Sequence, residues 1–246
     1  MGPAAGRFEP FGSLHLALVG LFLVGAVGVV LLGRSLRGTP RALTLGRWWA
    51  VAIACVTVPS QAYQLVPAEF EPGSSLPLQL CDFAWVAAAC GLWTHHRVPT
   101  ALSYYWGLTL TIQAVFTPSL NNLFPDPRFF LFWTMHFLVV WSAVYLTFGL
   151  GLGPGWREYR VTLAVSIGWA VLAYAFDAAF GVNYGYLAHK PSSASLLDLL
   201  GPWPVYVFAA LGILVAVWAL MTWPWVDARR RAGAAAGEGT LTPDAR

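Results

Sequence analysis

LHLALVGLFLVGAVGVVLLG, residues 14–33, carries no charged side chain and a single imidazole. At 1.5 Å per residue a helix of this length spans the ~30 Å hydrocarbon layer of a bilayer. Six further apolar runs of that kind follow, at approximately 47–66, 76–95, 98–117, 129–150, 158–180 and 203–225. Between them stand turn residues: Pro40, Pro67 with Pro72 and Gly73, Pro118 with Pro125 and Pro127, Gly153 to Gly155, and Pro202 with Pro204. The pattern predicts an all-α polytopic membrane protein, a bundle of seven transmembrane helices over residues 1–226. Residues 227–246, rich in Ala and Gly with mixed charge, are expected to be a disordered cytoplasmic tail.

Composition agrees. The 246 residues are 58% hydrophobic and only 10% charged, with mean hydropathy +0.62, where soluble domains carry about 25% charge. The net charge of +3 does not imply a nucleic-acid partner, because the basic residues sit at helix ends. Arg34, Arg37, Arg41, Arg47, Arg97, Arg157, Arg160, Arg229, Arg230, Arg231 and Arg246 collect at one set of ends, against Arg7, Arg128 and Lys190 at the other. The positive-inside rule then puts the N-terminus outside and the C-terminus in the cytoplasm, in the cell membrane. The first helix lacks a cleavage pattern and is expected to be retained. Cys81 and Cys90 would lie about 13 Å apart on one helix and Cys55 falls mid-span, so no disulfide is expected.

Counting inward from the outer ends gives the depth of every polar side chain. His15, Gln61, Gln64, Gln79, Cys81, Asp82, Gln113, Thr117, His136 and Asp177 fall in one layer, while the inner half reads as mostly Ala, Val, Leu, Gly and Trp. Polar groups are costly in hydrocarbon unless they meet one another, so a shared outer pocket is expected. The long connection after the sixth span, with Asn183, Tyr184, Lys190 and an apolar 196–200 patch, could line its mouth and fold back as an interfacial lid. Asn121, Asn122 and Asn183 read as turn residues rather than ligands.

Cys81 can be an inert buried thiol or a nucleophile. His136 can be a packing histidine or the base for that thiol. Asp177 can orient His136, as a carboxylate orients a catalytic imidazole, or fix helix packing. Asp82 beside Cys81 would disfavour a thiolate unless paired or protonated, with Lys190 or His15 as possible partners. No paired His or Cys spacing marks a metal, and no nucleotide or cofactor fingerprint is present, so neither is expected.

Five stretches carry a family likeness: FEPFGSLHL (8–16), LPLQLCDF (76–83), SYYWGLTLTIQAVFTP (103–118), MHFLVVWSAVYLTF (135–148) and NYGYLAHKPSSASLLDLLGPWPVY (183–206). They resemble the YwaF family of bacterial integral membrane proteins, over residues 8–225. More distantly they are similar to an animal transmembrane cysteine acyltransferase for ether phospholipids, and to androgen-induced hydrolases of fatty acid esters of hydroxy fatty acids. The likeness implies an acyl-accepting cysteine at Cys81 and its histidine at His136, where the hydrolases use threonine. It implies a membrane lipid or fatty-acyl substrate and lipid acyl transfer or acyl-ester hydrolysis, with Gln61, Gln79 or Gln113 as oxyanion donor. A non-enzymatic binder or transporter of lipids or small solutes is the other reading of the same pocket. Oligomeric state is not legible.

Overall fold

The computed structural model describes residues 8–118, 120, 124–191 and 195–238, and among these there are helices and turns but no strand. The helices are α1 (Ser13–Leu36), α2 (Pro40–Gln64), α3 (Leu80–Thr94), α4 (Arg97–Tyr105), α5 (Pro127–Val144), α6 (Trp156–Phe180) and α7 (Val205–Glu238). Two of them widen. A π-helical stretch, Trp106–Thr111, and a last α turn, Gln113–Phe116, continue α4; a π turn, Tyr145–Gly149, ends α5.

Among the described residues five helices are long and apolar enough to cross a membrane, where seven spans were expected: Ser13–Leu36, Pro40–Gln64, Pro127–Gly149, Trp156–Phe180 and Val205–Ala235. The run at 76–95 falls short because Pro77 and the extended N-cap Gln79 delay its helix to Leu80. At 15 residues it reaches about 22 Å at 1.5 Å per residue. The run at 98–117 is broken by its π stretch. At the other end of the chain, α7 continues past the expected boundary at 226 to Glu238, so residues 227–238 are helical rather than disordered. Arg231 pairs with Asp227 at i,i+4 in that extension. Residues 239–246 lie outside the described ones, as do Arg7, Asn121 and Asn122.

Backbone contacts set the direction of each helix. A Cβ on Gly46 near the start of α2 would meet Leu92 O at 2.5 Å, and one on Gly91 would meet both Leu146 Cδ1 at 3.0 Å and Thr100 N at 3.3 Å. The ends of α3 and α5 therefore gather with the starts of α2 and α4, which makes α3 and α5 parallel. Ala42, Ala50, Ala84, Ala87 and Ala88 fill the same seam, the small-residue packing that lets helices approach closely in a bilayer. Arginines fasten this end. Arg37 donates to Gly149 O at 2.7 and 3.1 Å, and Arg229 donates to Gly153 O at 3.0 Å, where C-terminal carbonyls favour a cation. Away from these contacts α1 exposes Leu16, Leu21, Leu23, Val24 and Val27, the face a bilayer would cover.

His95 turns the chain between α3 and α4 in the left-handed region, φ +53. Its Nε2 is buried without a partner among the described residues. Burial, and then the Arg47 charge, hold the ring below the usual imidazole range. The unfolded chain thus binds the proton more readily than the folded one. The stability this position contributes is complete above about pH 6.5 and is lost as pH falls through the depressed value. Thermal unfolding between pH 5 and 7.5 should show the wild type weakening on the acid side and His95→Asn, which tolerates the left-handed turn, weakening less. Parallel pH curves would disprove the assignment.

Candidate functional site

The connection that follows α6 is bolted onto the segment leading into α3. Asp177 Oδ1, in the last turn of α6, accepts from Tyr184 N at 2.8 Å. The buried Tyr184 hydroxyl donates to Pro72 O at 2.7 Å and accepts from Leu76 N at 3.2 Å. Gly185 N donates to Gln79 Oε1 at 3.2 Å, and Trp169 Nε1 to Leu78 O at 2.9 Å. Gly185 is required here: its φ is +65, and a Cβ would fall 2.4 Å from the Trp169 ring. Residues 183–186 therefore lie against the approach to Cys81.

The outer part of the connection is held by its own bonds. Asn183 Oδ1 accepts from Ala188 N and His189 N, both at 3.1 Å, while its amide donates to His189 O at 2.8 Å. Lys190 pairs with Asp198 at 3.8 Å and lies over the Tyr206 ring, whose hydroxyl donates to Tyr186 O. Lys190 is therefore not the partner of Asp82. That carboxylate instead accepts from Gln79 N at 2.9 Å, three residues back, and caps the start of α3. His15 is not its partner either. Phe11 N donates to His15 Nδ1 at 2.8 Å, so Nε2 carries the proton and donates to Val115 O at 2.9 Å. His15 thus fastens the entrance of α1 to the end of the α4 rod, with Phe8 and Trp133 around its ring.

Cys81 is the second residue of α3 and lies on the stripe of Ala84, Ala88 and Gly91, the face turned into the bundle. His136 is buried on α5, on the stripe of Val139, Val140 and Ala143. Heights follow from the Gly91–Leu146 contact: Cys81 lies ten residues before Gly91 and His136 ten residues before Leu146. With α3 and α5 packed and parallel, the two side chains share a level. A Cβ added to Gly107 would likewise meet Ala143 Cβ at 3.1 Å. Gln113, six residues beyond Gly107 on the antiparallel rod, comes to about that level too.

His136 Nδ1 lies 2.7 Å from Phe132 O. A carbonyl only accepts, so Nδ1 bears the hydrogen and Nε2 of the neutral ring keeps its lone pair. The orienting partner expected to be Asp177 is therefore a backbone carbonyl one turn back. Asp177 is engaged with Tyr184 instead, and its Oδ2 is buried without a partner among the described residues. The glutamines are committed as well: Gln61 Nε2 donates to Ser75 O at 2.7 Å, and Gln113 Nε2 to Thr109 O at 2.7 Å. Thr117 bonds Gln113 O along its own helix at 2.9 Å, and Gln64 closes α2, half-buried.

Two apolar clefts open on the flanks of α5. One of about 390 Å³ is lined by Val56, Pro125, Pro127, Phe130, Leu131 and Thr134. The other, about 290 Å³, lies toward α1 between Leu14, Leu18, Phe129 and Trp133. Neither is lined by Cys81 or His136. Among the described residues no three His, Cys, Asp or Glu side chains converge as a metal site requires.

Long apolar helices, small-residue seams and a looped-over polar end define a multi-pass helical membrane protein. The chain belongs to the TMEM164 family, whose model matches residues 10–222. No curated protein and no solved structure matches it.

Proposed function

We propose that this protein is a lipid acyltransferase or acyl-ester hydrolase of the cell membrane, with Cys81 as nucleophile and His136 as base. The observation that carries the reading is the fixed His136 tautomer, with an unprotonated Nε2 at the level of Cys81 and on a bundle-facing stripe. The resemblance of the surrounding motifs to a cysteine acyltransferase supports it. In the first half-reaction the thiol proton passes to His136 Nε2 and Sγ bonds the ester carbonyl carbon of a membrane lipid. Collapse breaks the ester C–O bond, and His136 returns the proton to the departing alkoxide. A lipid hydroxyl or water then takes the acyl group from the thioester, with the proton again passing through His136. The second N–H of Gln113 serves the oxyanion.

The proposal extends to seven crossings with the N-terminus outside. In that arrangement the arginine-fastened end, Arg34, Arg37 and Arg229 included, faces the cytoplasm. Lipid binding without chemistry is the second reading, favoured by the two apolar clefts that exclude the pair. An ester-bearing acyl probe separates them. A hydroxylamine-sensitive thioester should appear on the peptide of Cys81 in the wild type and be missing from Cys81→Ala, with Cys55 and Cys90 as internal controls. Lipid turnover undiminished by Cys81→Ala would sink the enzymatic reading, and lipid retention surviving loss of both Cys81 and His136 would select the second.

A further inference from the structure

The inner half of the bundle is more polar than its apolar sequence suggests. Where α4 meets α6, Trp106 Nε1 donates to Ser166 Oγ at 2.9 Å, and Ser166 donates to Thr162 O at 2.8 Å. Rings of Tyr105 and Tyr159 meet nearby at 6.4 Å. One turn toward the inner end lie Ser103, three residues before Trp106, and Thr162, four before Ser166, on the faces that carry the bond. Both are fully buried, and neither hydroxyl has a partner among the described residues. Another turn down, buried Glu158 closes the row, accepting from Gly155 N at 2.9 Å.

Helix hydroxyls ordinarily satisfy themselves on the carbonyl four residues back, and Thr57, Ser142, Thr147 and Ser166 do so here, at 2.5 to 2.8 Å. Ser103 and Thr162 forgo that bond. Their neighbours cannot substitute: the Tyr105 hydroxyl is taken by Thr222 Oγ1 at 2.7 Å, and Trp106 by Ser166. Two buried hydroxyls that forgo the bond to their own helices, each one turn from the Trp106–Ser166 bond that joins α4 to α6, call for a small molecule that both donates and accepts.

We infer that this seam is a water-binding site, in which ordered water bridges Ser103 Oγ and Thr162 Oγ1 and joins α4 to α6 beneath the Trp106–Ser166 bond. The bridge stands apart from the Cys81 level and does not depend on the acyl-transfer reading. It fills the inner seam with a polar occupant that no acyl chain replaces.

Radiolytic hydroxyl labelling in ¹⁸O-water tests it, because buried side chains are oxidised only where a bound water generates the radical beside them. In the full-length protein in nanodiscs, Tyr105 and Trp106 should take up label although buried, while the equally buried Tyr145, whose hydroxyl donates to Ala42 O, should not. Thr162→Val combined with Ser103→Ala should remove that label. Label on Tyr105 and Trp106 no faster than on Tyr145 in the wild type, or unchanged in the double variant, overturns the proposal. In a thermal double-substitution cycle the bridge makes the two losses non-additive, and additive losses count equally against it.

Discussion

His136→Gln is expected to slow acylation of Cys81 by about 10²–10⁴-fold, the usual worth of a positioned general base. The residue reads as a base because of what holds it. Phe132 O fixes Nδ1–H, so the accepting nitrogen is Nε2, and a glutamine in its place offers an amide that cannot take the thiol proton. Burial against Phe132, whose ring centroid lies 4.3 Å away, keeps the imidazole in place. Asp177→Asn gives the contrast. Its Oδ1 is replaced by an amide oxygen that still accepts from Tyr184 N, so acylation should stay within a few-fold of wild type. Single-turnover acylation measured from pH 6 to 9 distinguishes them: the histidine variant should be slow throughout, and the asparagine variant should keep the wild-type profile. A large loss in Asp177→Asn with a small one in His136→Gln would reverse the roles.

That contrast marks where the sequence is informative. Depth counting puts Cys81 and His136 at one height, and the register of α3 on α5 at the Gly91–Leu146 contact agrees with that count. It cannot say which way a carboxylate turns. Asp177 has the depth of a triad member, yet the chain bends back at Gly181 and brings Tyr184 N to it first. His15 has the depth of a pocket residue, but Phe11 and Val115 consume both ring nitrogens. Local competition of this kind is decided by backbone amides and carbonyls, which every residue contributes equally and no residue type announces. The orienting carbonyl of Phe132 belongs to the same class, although any helical histidine has such a carbonyl four residues back. The inner hydroxyls escape a reading that takes the inner half as mostly Ala, Val, Leu, Gly and Trp: Thr100 and Ser103, and Thr162 and Ser166, recur at three and four residues, but the apolar residues around them mask the spacing. The π stretches at Trp106–Thr111 and Tyr145–Gly149 have no composition signal. They shift register within helices whose hydrophobicity is unchanged, so the run at 98–117 is interrupted without any change in hydropathy, while the run at 76–95 is shortened by Pro77.

Gly33→Val should be strongly destabilising, and Gly28 on the same helix supplies the control. A Cβ on Gly33 would lie 2.6 Å from Gly149 Cα, 3.0 Å from Gly149 C and 3.1 Å from the Tyr145 ring. The first two are backbone atoms, so no side chain can rotate aside and α1 must separate from the end of α5. The approach is equally close from the other side, where a Cβ on Gly149 would meet Gly33 Cα at 3.0 Å. Separation also strains the Arg37 bonds to Gly149 O, at 2.7 and 3.1 Å, which fasten the same pair of helices one turn further on. Overpacking of this kind costs about 1–3 kcal/mol, and a weakened charged hydrogen bond adds roughly 1.5–3 kcal/mol. For a chain of this size each kcal/mol moves the melting temperature by about 2–4 °C, so thermal unfolding in detergent should fall by several degrees at least. At Gly28 an added Cβ meets nothing within 4 Å, and Gly28→Ala should hold or raise stability by about 0.5–1 kcal/mol through helix propensity alone. Equal melting temperatures for Gly33→Val and Gly28→Ala would show that α1 and α5 do not touch at that point, and the direction assigned to α1 from the Arg37 contact would fall with it.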